Sequence, residues 1–106
     1  MDLENLKTFL RIDGSEDDGV LTSLISAGKS HLRQAGLQEP TIDVDADESE
    51  KSAQIEAREQ YNLALMLYVK REYDPHTGLE LQRMKETIEG IILQLREYGK
   101  GDEDDV

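Results

Sequence analysis

Apolar residues recur along most of this chain at the three- and four-residue steps of an α-helix, and only one short stretch alternates as a strand would. Leu3, Leu6, Phe9 and Leu10 predict a short amphipathic helix over 3–10, stopped by Asp13-Gly14. The flanks of that Asp-Gly pair do not alternate, so it is not read as a hairpin turn. A second helix is predicted from Glu16 to Ala35, striped by Leu21, Leu24, Ile25, Gly28, Leu32 and Ala35, with Gly36 as its stop. Ser15 with Asp18 three residues on resembles a capping box, and Glu16, Asp17 and Asp18 suit the positive end of a helix. Gly28 lies inside the stripe, where Gly costs roughly 1 kcal/mol relative to Ala. A close helix crossing at that point accounts for it.

Residues 37–50 break the period. Pro40 leads into Thr41-Ile42-Asp43-Val44-Asp45-Ala46-Asp47-Glu48-Ser49-Glu50, read as a long acidic loop. The alternation of Ile42, Val44 and Ala46 permits a short strand only if it pairs with something else. A third helix is predicted from Ser52 to Tyr73, with Ala53, Ala57, Tyr61, Ala64, Leu65 and Tyr68 on one face. Leu63, Met66, Leu67 and Val69 add a second apolar face, the pattern of a central bundle helix or of a subunit contact. Asp74-Pro75 ends it, because proline disfavours helix in the residue before it. A fourth helix, Leu79 to Tyr98, uses Leu81, Met84, Ile88, Ile91, Ile92 and Leu95, and Gly99 and Gly101 are expected to close it. The expected architecture is an all-α, four-helix domain over residues 1–98 with a long acidic loop between helices 2 and 3. A flexible, disordered acidic tail is expected at 99–106. No internal repeat is present.

A length of 106 residues fits one domain, and with one Phe, four Tyr and no Trp its core must be filled by Leu, Ile, Ala and Met. Charge changes the picture more. The chain holds 24 acidic and 12 basic residues, a formal charge of −12. Half of the acidic residues sit in three blocks, Glu16–Asp18, Asp43–Glu50 and Asp102–Asp105. Such a surface repels phosphate backbones and anionic membranes, and no basic stripe offsets it. Without cysteine there are no disulfides, thiolate chemistry or cysteine zinc sites. Met1-Asp2-Leu3-Glu4-Asn5 does not resemble a signal peptide, and no apolar run approaches the ~20 residues of a membrane helix. A cytoplasmic setting is the simplest expectation.

The spacing Asp43-x-Asp45-x-Asp47 invites a calcium-loop reading, since carboxylates at positions one, three and five supply oxygen ligands. The rest of that motif fails: Glu48 stands where the turn needs Gly, and Gln54 where a bidentate Glu belongs. His31 and His76 lie on different elements without a second His or Cys nearby, so packing and solvation explain them better than metal ligation. No nucleophile elbow, P-loop or dinucleotide fingerprint occurs. The carboxylate pairs Asp17/Asp18 and Glu48/Glu50 read as surface charge, because a catalytic carboxylate needs a desolvated cleft. No catalytic residue, metal or cofactor is therefore expected. Apolar residues off the main stripes remain: Leu63, Leu67 and Leu93 are candidates for a contact between like subunits, against the alternative that they complete the core.

The order of the segments resembles a known family. Leu6-Lys7-Thr8-Phe9-Leu10-Arg11-Ile12-Asp13, then Glu16-Asp17-Asp18, then Leu21-x-x-Leu24-Ile25-x-Ala27, is similar to the opening of the head–tail connector proteins of tailed bacteriophages. A helix ending in Ala35-Gly36 follows. After the loop come Ala64-Leu65-Met66-Leu67-Tyr68-Val69-Lys70-Arg71-Glu72-Tyr73 and the closing run Ile91-Ile92-Leu93-Gln94-Leu95-Arg96, again as in that family. The resemblance covers residues 3–98. Gly28 stands in place of a usual Ala, His31 where an aromatic is common, and Asp74-Pro75-His76 in place of a more polar stretch.

The resemblance implies a structural virion protein of the neck, assembled in the host cytoplasm. It implies a ring of identical subunits beneath the portal protein that extends the DNA channel and offers a docking surface to a stopper or tail-completion protein. It implies portal docking through the end of helix 4, with Leu95, Tyr98, Gly99 and Lys100 as candidates. Acidic residues facing the lumen, with Asp43, Asp45, Asp47, Glu48 and Glu50 as candidates, would let DNA pass without specific binding, because like charge prevents adsorption. Two alternatives stand beside it: an acidic DNA mimic, whose clustered blocks imitate a duplex poorly, and a generic helical adaptor.

Overall fold

The computed structural model describes residues 2–74 and 78–101. They form four helices, α1 (Leu3–Leu10), α2 (Asp18–Gln34), α3 (Glu48–Tyr73) and α4 (Gly78–Gly101), with no strand among the described residues. The fold class is all-α, as the apolar spacing predicts. α3 is central: α2 and α4 pack along it, and α1 packs on both α2 and α3. That position explains its nearly all-round apolar composition between Tyr61 and Val69.

Two clusters hold the helices together. Leu32 and Leu37, at and beyond the end of α2, meet Ala57, Tyr61, Ala64 and Leu65 of α3 and Ile91 and Leu95 of α4. At the other end of α3, Leu6 of α1, Leu21 of α2 and Val69 are fully buried, with Leu10, Ile12, Leu24, Met66 and Tyr73 packed around them. Ile25 touches both clusters, so α2 links the two ends. Gly28 lies where α2 crosses α3. A Cβ there would stand 2.6 Å from Leu65 Cδ1 and 2.9 Å from Tyr68 Cδ1, the close crossing that its place in the stripe predicts.

Backbone hydrogen bonds define the helix ends. Gly36, at φ +96°, ends α2 as a left-handed stop. Its N–H donates to Arg33 O and the Leu37 N–H donates to Leu32 O, both at 3.0 Å, while Leu32 and Leu37 share a core cluster. This is a complete Schellman motif. α1 ends the same way around Arg11, at φ +60°, with the Ile12 N–H donating to Lys7 O at 2.9 Å. Asp74, extended at ψ 123°, ends α3 as the following Pro75 requires.

Some helix ends and the acidic loop differ from expectation. α2 starts at Asp18 rather than Glu16, and Ser15 is not its cap. The N-cap is Asp17, which makes no side-chain capping bond because its carboxylate accepts from the Tyr73 hydroxyl instead. α3 starts at Glu48 rather than Ser52: the Asp47 side chain accepts from the Glu50 N–H at 2.8 Å and caps it. Glu48 and Glu50 therefore sit in the first turn of a helix, where its dipole favours them, and not in the loop. Between Ile42 and Ala46 the chain turns, with the Asp45 N–H donating to Asp43 Oδ1 at 3.0 Å, so the permitted strand does not form. α4 continues through Gly99 to Gly101, because glycine weakens a helix by roughly 1 kcal/mol without ending it. His76 and the acidic residues 102–105 lie outside the described residues.

Candidate functional site

The opening run of the resemblance and the end of α3 meet at one end of the molecule. Lys7, in the last turn of α1, is 8% exposed. Its Nζ lies 3.0 Å from Oδ1 of Asp18 in the first turn of α2. Each charge also complements the helix end it occupies, basic at a C-terminus and acidic at an N-terminus. The neighbouring Asp17 takes the hydroxyl of Tyr73, the last residue of α3. That bond first, then burial and the charges of Asp17 and Asp74, raise the Tyr73 phenol above its ordinary value. The acidic cluster after α1 thus ties the end of α1, the start of α2 and the end of α3 together.

The acidic residues at the opposite end are arranged differently. The loop 35–47 is anchored by Leu37 in the core, by a Lys29–Glu39 ion pair at 3.2 Å, and by the Asp43 N–H donating to Gln54 Oε1 at 2.8 Å. Asp43, Asp45, Asp47, Glu48 and Glu50 are all exposed around the start of α3. The carboxylates of Asp43 and Asp47 are engaged by backbone N–H groups of their own turn and helix start. No group of three or more His, Asp or Glu side chains converges as a metal site among the described residues.

Because α4 runs antiparallel to α3, its C-terminal half returns to this same end: Gln94 and Leu95 line a cleft with Ala53, Glu56 and Ala57. The two expected site groups, the acidic block and the end of α4, are brought together although they lie far apart in sequence. Leu95 itself is only 8% exposed and belongs to the core, so it is not a surface residue. Tyr98, Gly99 and Lys100 continue the α4 backbone helix. Of the apolar candidates, Leu93 is 62% exposed and Leu63 is 37% exposed, while Leu67 is half-buried. Leu79, 65% exposed on the outward face of α4 shared with Leu93, is an apolar surface residue that sequence spacing alone does not single out. His31 lies at the α2–α3 boundary with its ring 5.2 Å from that of Tyr68. No helix among the described residues is long and apolar enough to cross a membrane.

A family model described as phage connector protein matches residues 3–102. No curated protein and no solved structure gives a significant match. The match implies a structural role in the neck of a phage particle, in contact with other head and tail proteins. With nearly its whole length matched, the chain belongs to the phage connector protein family.

Proposed function

We propose that this protein forms a ring of identical subunits under the portal, extends the DNA channel, and presents a docking surface to a stopper or tail-completion protein. The observation that carries this reading is the family match over residues 3–102. Three features support it. Leu93 and Leu63 leave apolar surface uncovered on α4 and α3, available to a neighbouring subunit, with half-buried Leu67 one turn on from Leu63. The acidic residues Asp43, Asp45, Asp47, Glu48 and Glu50 share one end of the molecule with the last turns of α4. A subunit that docks on the portal through Tyr98, Gly99 and Lys100 then sets this acidic block beside the channel, where it repels DNA and keeps it mobile. No step of catalysis enters this role.

Electron microscopy of the protein mixed with its cognate portal protein tests the reading. Rings, or added density on the portal, are expected. Their absence across low and high salt would overturn it. Removing residues 99–106 is expected to leave the helical fold intact and weaken portal binding; unchanged binding would take that segment out of the contact.

A further inference from the structure

Four of the six large apolar side chains that stand exposed among the described residues lie on two helix faces, Ile55 and Leu63 on α3 and Leu79 and Leu93 on α4. The two faces differ in shape. α3 runs for about 39 Å and α1 for only about 12 Å, so α1 shields one part of α3 and leaves the rest bare. Ile55, Glu59, Leu63 and Met66 follow one another along the bare strip at steps of four, four and three, one side of the helix. Where the strip meets α1 it deepens into a groove of about 430 Å³. Both walls carry an acid, an amide and an apolar residue at the same steps: Asp2, Asn5 and Phe9 on α1, and Glu59, Asn62 and Met66 on α3. Lys70, one turn beyond Met66, stands 5.7 Å from the Phe9 ring, so the two apolar residues share one end of the groove and the two acids the other. The α4 face is a ridge instead. Leu79, Arg83, Glu86, Gly90 and Leu93 follow at steps of four, three, four and three, and nothing packs over Gly90 among the described residues. Glu86 is engaged by the Gln82 amide at 2.9 Å, whereas Arg83 is exposed without an ion-pair partner among the described residues, as is Glu59 in the groove.

We infer that the α4 ridge of one copy lies in the α1–α3 groove of the next, with Leu79 between Phe9 and Met66 and the Arg83 guanidinium on the Glu59 carboxylate. An apolar knob followed one turn later by a cation matches an apolar groove end followed by its acids. Leu79 to Leu93 is about 21 Å along a helix and Met66 to Ile55 about 16 Å, so the second exposed leucine of the ridge comes beside the exposed isoleucine of the strip. Ridge and groove are different surfaces of one chain, and the contact is therefore heterologous: each copy inserts one face and receives on the other. Contacts of this kind repeat head to tail and close into a ring, whereas a two-fold pairing of like faces stops at a dimer. The inference rests on the ring reading above and names the two faces that close it. Subunits of charge −12 repel one another, and joining Arg83 to Glu59 sets opposite charges where the faces meet.

The chain has no cysteine, so introduced thiols report on one chosen contact. Full-length Asn62→Cys, Leu79→Cys and the double variant are assembled with the cognate portal protein, oxidised, and run on a non-reducing gel beside electron micrographs of the same samples. The double variant is expected to give a ladder of disulfide-linked multimers. A mixture of the two single variants is expected to stop at dimers, and each single variant alone to stay uncrosslinked. Arg83→Glu is expected to remove the ladder on the double-cysteine background, and adding Glu59→Arg to restore it. Both positions are exposed, so the helical circular dichroism is expected to stay unchanged. Rings in the micrographs without a ladder would overturn this contact and leave the ring reading standing, whereas no rings and no ladder would overturn both. Dimers of Leu79→Cys alone would overturn it by pairing α4 with α4. A ladder that survives Arg83→Glu, or that Glu59→Arg does not restore, would overturn it as well.

Discussion

At Gly28 a single methyl group has nowhere to go. Its Cβ would meet Leu65 Cδ1 at 2.6 Å and Tyr68 Cδ1 at 2.9 Å. Leu65 is fully buried, and the Tyr68 ring is flanked by His31 at 5.2 Å and by the Arg71 guanidinium at 4.9 Å, so neither side chain yields freely. Alanine's helix propensity returns roughly 1 kcal/mol, and overpacking costs about 1–3 kcal/mol. Gly28→Ala is therefore expected to destabilise the protein by up to about 2 kcal/mol in urea unfolding; unchanged stability would show that α2 and α3 separate easily. Tyr73 gives a pH-dependent counterpart. Its phenol is held above the ordinary value of about 10, so the bond to Asp17 stabilises fully below that pH and is lost as pH rises through the folded value. Tyr61 is also pushed up, by burial and by Glu39 against an opposing effect of Arg33, and it remains in a Tyr73→Phe variant. Tyr73→Phe is expected to melt lower than the parent at neutral pH, with the gap narrowing only above about pH 10. A gap that stays constant through the alkaline range would deny the bond a stabilising role. The Gly28 crossing was legible because glycine interrupts an otherwise apolar stripe. The Asp17–Tyr73 bond was not, because its partners lie 56 residues apart and meet only once α3 is in place.

α1 illustrates how the elements depend on one another. It is 8 residues long, whereas isolated helices shorter than about 12–15 residues are marginal in water. It exists because Leu6 is buried between α2 and α3 and because Lys7 pairs with Asp18. Truncating a fully buried leucine costs about 2–5 kcal/mol. The core is divided into two clusters joined through Ile25, so Leu6→Ala is expected to act on one of them first. Hydrogen exchange should show lost protection in α1 and at the start of α2, with protection kept around Ala57–Leu65 and Ile88–Leu95. A uniform loss across all four helices would mean that the domain opens as a single unit. Apolar spacing revealed the centres of all four helices, since burial of a stripe decides them. Ends were less legible, since caps decide them. The spacing of Asp47 and Glu50 is itself a helix-start signal, hidden in a run of acids that reads equally well as loop. Ser15 offers a plausible cap by composition, but Asp17 and Asp18 are recruited by Tyr73 and Lys7, and the helix starts where those contacts fix it.

Over the whole molecule, the reversal of α4 along α3 gathers segments that are remote in sequence. One end carries the clamp of Lys7, Asp17, Asp18 and Tyr73; the other carries the acidic block and the last turns of α4. Exposed apolar candidates could be read from residues that fall off the helical stripes, and Leu93 is one of them. Their arrangement could not, because it depends on how helices lie against each other rather than on any one period. Leu79 and Leu93, 65% and 62% exposed, share the α4 face turned away from α3, and we propose this face as the contact for another subunit. Bringing subunits of charge −12 together sets electrostatic repulsion against that apolar contact. Salt shortens the screening length from about 10 Å at 0.1 M to about 3 Å at 1 M, which weakens repulsion between subunits and leaves apolar burial in place. Self-association followed by analytical ultracentrifugation is therefore expected to increase with salt. Leu93→Glu removes apolar area and adds another negative charge at the contact, so it is expected to keep the protein monomeric at every salt concentration. Because the position is exposed, its own stability should change by no more than about 0.5 kcal/mol. Association that falls with salt would identify ionic contacts as the driving force, and assembly that survives Leu93→Glu would place the subunit contact on a different face.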